Sequence, residues 1–145
     1  MVNTMDSALK HAKSLADYLN KCNSAYIIHI ALKELGVASD SEGFLFAKNT
    51  AYMLCDHPNL TLTNGVYGAV GLLAYPQADE KTVENAIRRS VKQAWSERDD
   101  RIWECYFPVG KQGRSECPSN KVFLMALVDF VILWKGFCEE VNYGI

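Results

Sequence analysis

Apolar residues in this 145-residue chain recur every three or four positions almost throughout, and alternate with polar ones almost nowhere. A strand buries one face with a period of two and a helix one stripe with a period of 3.6, so the pattern calls for helices packed on helices. Ala8, Ala12, Leu15, Ala16 and Leu19 form the first stripe, over about 5–21. Ser24 can cap a second helix that turns Ile28, Ala31, Leu32 and Leu35 inward, and Gly36 can end it in the left-handed conformation. A third helix is expected from Gly43 to about Asp56, with Pro58 closing it. A fourth is expected over Thr61–Tyr75, with Val66, Val70, Leu73 and Ala74 inward and three interior glycines weakening it. Pro76 stops that helix, and Asp79 or Thr82 can cap a fifth over Asp79–Trp95. After the charged turn Ser96–Asp100 a short sixth reaches about Phe107, Pro108–Pro118 forms a loop, and Ser119 caps a long last helix through Trp134. The expected fold is all-α: a six-helix, bundle-like domain over 24–134, an extra N-terminal amphipathic helix in 1–23, and a tail over 135–145.

Composition supports a real core, since 49% of the residues are apolar. Lys plus Arg number 15 against 17 Asp plus Glu, a net charge of −2. That argues against a nonspecific nucleic-acid coat, which is usually basic, and leaves room for one local basic face. The five cysteines, Cys22, Cys55, Cys105, Cys117 and Cys138, are dispersed without a C-x-x-C pair and read as reduced, mostly buried thiols. The N-terminus lacks the apolar core of a signal peptide, and Val122–Trp134, the longest apolar run, is too short to span a bilayer. A cytoplasmic protein without membrane contact is expected, and the sequon at Asn59 is then chance. His11, His29 and His57 form no i,i+4 pair, and no Ser/His/Asp set, paired-carboxylate site or phosphate-cradling loop is visible. Neither an enzyme nor a bound metal or cofactor is expected.

The informative constellation is the pair Thr61–Tyr75 and Asp79–Trp95, joined by the short turn Pro76-Gln77-Ala78. The first helix is apolar, whereas the second is amphipathic and basic on its outer side, where Lys81, Asn85, Arg88 and Lys92 follow one another at spacings of three and four. This is the layout of a helix-turn-helix, whose second helix presents residues of its N-terminal half to base edges in the major groove. Arginine can donate two hydrogen bonds to guanine, asparagine can pair with adenine, and lysines further along can neutralise phosphates. Charge pattern alone leaves two readings open, because Glu84 and Arg88 also make an ordinary i,i+4 pair on a solvated face.

Several separated segments narrow the choice. LKELGV (32–37) followed by GFLF (43–46), then VENAIR (83–88) with Ala94-Trp95, then Pro118-Ser119-Asn120 with Phe123, keep a common spacing. Together they resemble the C-terminal DNA-binding domain of the sporulation response regulator, stage-zero sporulation protein A, from about Ala25 to Phe130. The resemblance implies a six-helix domain built around a helix-turn-helix that binds a short asymmetric box in promoter DNA. It implies that Glu84 and Arg88 face bases, with Asn85 standing where the family has arginine and Arg89 where it has histidine. The expected DNA-binding set is therefore Lys81, Glu84, Asn85, Arg88, Arg89 and Lys92. The implied partners are double-stranded promoter DNA and the RNA polymerase sigma subunit through Ser96–Phe107; a second copy of the chain on DNA is a further expected partner.

Three departures from the family pattern stand out. No receiver domain is expected beside this effector in 145 residues, the turn region before Val83 is about two residues longer, and Asn85 replaces arginine. Read as an independent base contact, Asn85 favours adenine over guanine. The competing expectation is a protein-interaction module of the same fold that has lost DNA binding and acts by dimerising or docking on polymerase or a regulator.

Overall fold

The computed structural model describes residues 7, 8, 10, 11, 24–57, 59–62, 65–107 and 116–143. Six helices follow one another in its main part: α1 (Ser24–Glu34), α2 (Glu42–Asp56), α3 (Val66–Leu73), α4 (Glu80–Ser96), α5 (Asp100–Tyr106) and α6 (Asn120–Tyr143). No strand occurs among the described residues, in agreement with the all-α expectation. Ser7, Ala8, Lys10 and His11 are helical and exposed; the rest of the helix expected over 5–21 lies outside the described residues, as does most of the loop expected over 108–118. The last helix does not give way to a tail at residue 135 but runs on to Tyr143.

The helix ends follow local chemistry. Ser41 accepts a hydrogen bond from Phe44 N at 3.1 Å, Asp79 from Thr82 N at 2.7 Å, and Ser119 from Val122 N at 3.3 Å. Each satisfies an amide that the first turn of a helix leaves without an intrahelical partner. Past the end of α1, Gly36 takes φ +86°, Val37 N donates to Leu32 O at 3.0 Å and Gly36 N to Lys33 O at 3.1 Å. This is the Schellman arrangement, and its accompanying apolar pair, Leu32 and Val37, is buried.

The long helix α2 is the hub, packing against α1, α3, α4 and α6. The core is built from Ile28 and Leu32 of α1, Phe44 and Ala51 of α2, Val83, Ile87 and Val91 of α4, and Phe123, Leu124 and Leu127 of α6. Trp103 holds α5 to this frame: its ring stacks on Phe107 at 5.1 Å, and Nε1 donates to Leu35 O at 3.1 Å. One polar group sits badly in the core. Thr50 is fully buried and its Oγ1 has no hydrogen-bond partner. An unmet buried hydroxyl costs about 1–3 kcal/mol. Thr50→Val, which keeps the branched shape and removes the hydroxyl, is expected to raise the unfolding free energy by about 1 kcal/mol in urea titration.

Two further expectations need correction. The fourth predicted helix is shorter at both ends, Val66–Leu73 instead of Thr61–Tyr75, because Gly65 enters it with φ +82° and the chain leaves helical geometry at Ala74. Its inward residues are Val66, Tyr67, Val70 and Gly71, while Leu73 is 82% exposed. The inward face thus turns on Gly71, where the following turn comes closest. The thiols are also less uniform than expected: Cys105 is exposed, and Cys55 and Cys117 are half-buried.

Candidate nucleic-acid interface

Glycine makes the geometry of the α3–α4 corner possible. Ala78 N donates to Gly71 O at 3.0 Å, drawing the turn back onto α3. A Cβ on Gly71 would collide with the Ala78 carbonyl oxygen and press on Val83 Cγ2. The connection carries a cis Tyr75–Pro76 peptide, and Gln77 Nε2 donates to Leu72 O at 3.3 Å across it. Asp79 then caps α4. A second close approach fixes the other flank of α4: Gly43 of α2 lies so near Ser90 that a side chain there would strike its Oγ.

Helix α4 is buried along Val83, Ala86, Ile87, Val91 and Ala94, the stripe the sequence predicts. At about 100° of rotation per residue, Lys81, Glu84, Asn85, Arg88 and Lys92 fall on the opposite side within roughly one quarter of the circumference, and Arg89 borders them. Lys81, Arg88, Arg89 and Lys92 are exposed; Glu84 and Asn85 are half-buried. All six expected residues therefore share one continuous outer surface, but they are not equally free. Arg88 Nη2 donates to Glu84 Oε1 at 2.9 Å, and Arg88 Nη1 to Asn85 Oδ1 at 2.9 Å.

Beside this surface lies a cleft that helical periodicity does not reveal. It measures about 720 Å³ and opens between α4 and the start of α6, with Arg88 and Lys92 on one wall and Asn120 and Lys121 on the other. Asn120 Nδ2 donates to the main-chain carbonyl of Glu84 at 3.0 Å, tying α6 to the middle of the exposed stripe. Burial pushes the Tyr67 hydroxyl above its usual range, and the neighbouring Asn120 amide partly offsets that shift. The only sequence signal for this bridge was Pro118-Ser119-Asn120, which marked a family framework and not a contact.

The segment after α4 is held differently. The Arg98 guanidinium lies 3.6 Å over the Trp95 ring, and its Nε pairs with Asp100 Oδ1 at 2.9 Å. Arg101, Glu104 and Cys105 remain on the outer side of α5. Among the described residues no cluster of three or more His, Cys, Asp or Glu side chains could hold a metal ion, and no helix is long and apolar enough to cross a membrane.

An apolar helix, a turn drawn tight on a glycine and an amphipathic helix with a basic outer face define a helix-turn-helix domain. Residues 27–131 match the family described as sporulation initiation factor Spo0A C terminal, and the chain belongs to that family. That family is a DNA-binding domain of the kind used in transcriptional control of sporulation, and it is not a known enzyme family. A search of the curated proteins gave no match.

Proposed function

We propose that the chain is a sequence-specific transcriptional regulator that lays α4 in the major groove of promoter DNA. The observation that carries this reading is the single outer stripe of Lys81, Glu84, Asn85, Arg88 and Lys92, bordered by Arg89, on a helix whose other side is core. Arg88 reads a guanine, Glu84 and Asn85 work beside it, and Lys81, Arg89 and Lys92 meet phosphates. Lys92 and Lys121 both line the cleft, where they can neutralise a phosphate backbone leaving the groove. Regulation includes promoter occupancy by two copies, and α5 offers Arg101 and Glu104 to the sigma subunit.

A mobility-shift titration on family-type promoter DNA tests this directly. Lys92→Ala is expected to weaken specific and random duplexes alike and to lower the slope of log affinity against log salt by about one. A Lys92→Ala effect confined to the specific site would contradict its assignment to the backbone.

A second reading has its own support. Ile132, Leu133 and Phe137 are more than half exposed on the distal part of α6, beyond the core-facing Val131. Such a strip suits a protein-docking module that works without DNA. The two readings separate at ~50 mM salt, where phosphate contacts are strongest. Failure to shift any duplex there would favour docking.

A further inference from the structure

Asn85 is the position at which this chain departs from its family on the exposed stripe, and its surroundings decide what it can read. As an independent reader it would meet adenine with both amide atoms, Oδ1 accepting from N6 and Nδ2 donating to N7. In the structure Oδ1 already accepts from Arg88 Nη1 at 2.9 Å, and Arg88 Nη2 donates to Glu84 Oε1 at 2.9 Å. The guanidinium is therefore held at both terminal nitrogens by neighbours on the preceding turn.

This clamp changes the chemistry offered to a groove. Arginine has five N–H donors, of which Glu84 and Asn85 engage two and leave three. Accepting from a full positive charge polarises the Asn85 amide, so Nδ2–H becomes a stronger donor and Oδ1 a poorer acceptor for a second partner. Turning Asn85 outward to adenine would strip Arg88 of a charge-assisted hydrogen bond. Left in place, Arg88 and Asn85 together present mostly donors. Among base edges, guanine offers two adjacent acceptors, N7 and O6, whereas adenine pairs an acceptor with a donor.

We propose that Asn85 specifies sequence through Arg88, as a positioning residue, and contributes no adenine preference of its own. Its carbonyl aims the guanidinium at that acceptor-rich edge. The inference rests on α4 being the base-reading helix.

The test compares the wild-type chain, Asn85→Asp and Asn85→Ala. The full chain first selects its site from a random duplex pool. Competition binding then gives each protein's guanine-over-adenine ratio at every selected position. Aspartate keeps an acceptor oxygen for Arg88 but loses the donor, and its extra charge weakens binding to all DNA. The ratio cancels that uniform loss, and it also cancels any change in the fraction of folded protein. At the position read by Arg88, Asn85→Asp is expected to keep the ratio within about threefold of wild type, and Asn85→Ala to reduce it about tenfold. An adenine preference at a neighbouring position that both variants abolish, with the guanine ratio untouched, would overturn the inference while leaving α4 as the reading helix. An Asn85→Ala ratio equal to wild type would overturn it as well. If the wild-type chain selects no sequence at all, the assignment of α4 falls, and this inference with it.

Discussion

Arg88→Ala is expected to lower affinity for the selected site by about 1–3 kcal/mol, roughly 5- to 150-fold, and to change binding to random duplexes far less. Two effects combine in that loss. The bidentate contact to guanine disappears, and Glu84, which Arg88 pairs at 2.9 Å, keeps its negative charge beside the same base edge without a counter-ion. The second effect is separable. In the Glu84→Ala/Arg88→Ala double variant the repulsion is gone, so affinity should recover part of the way. The free ion pair itself contributes little to folding, because both side chains are over a third exposed and solvent screens them. The melting temperature of Arg88→Ala should therefore stay close to wild type. Equal losses on specific and random DNA would remove the base-reading role from Arg88.

Gly71→Ala should act in the opposite manner, on folding and on DNA binding together. In an exposed helix the exchange gains about 1 kcal/mol from lower backbone entropy in the unfolded chain. Here the new methyl would collide with the Ala78 carbonyl oxygen. The turn cannot simply retreat, since Ala78 N is bonded to Gly71 O at 3.0 Å and Asp79 caps α4 one residue later. Overpacking of this kind costs about 1–3 kcal/mol and outweighs the helix-propensity gain. A lowered thermal midpoint is expected, together with weaker binding to every duplex, because a displaced turn carries the N-terminus of α4 with it. Gly68→Ala is the matched control, since nothing lies within 4 Å of a Cβ at that position. A Gly71→Ala protein as stable as Gly68→Ala would refute the close-packed turn.

These two residues mark different depths of legibility in the sequence. The buried stripe of α4 could be read from spacing alone, and so could the Asp79 cap and the left-handed glycine at position 36, because each depends on neighbours within one helical turn. The exposed set from Lys81 to Lys92 was legible for the same reason. The length of α3 was not. Leu73 has the hydropathy of a core residue and fits the apolar period, yet it stands 82% exposed, because the helix meets its neighbours on the face of Tyr67 and Gly71. Nothing in residues 61–75 states where the turn will return.

Local pattern by itself determined an all-helical chain, the ends of most helices, and one basic stripe on an otherwise acidic protein. The family framework, also in the sequence, gave that stripe its meaning. Only the tertiary structure decided how the stripe is held. Asn120 reaches the Glu84 carbonyl across 36 residues of sequence, and Gly43 admits Ser90 across the α2–α4 contact. The structure also decided that Arg88 is gripped by Glu84 and Asn85 together, where spacing alone allowed the Glu84 pair and left Asn85 free to read a base. The physical reason is range. Periodicity and capping are written by residues a few positions apart, whereas a cleft wall or the rotamer of an arginine is set by whatever distant segment the packed core brings alongside.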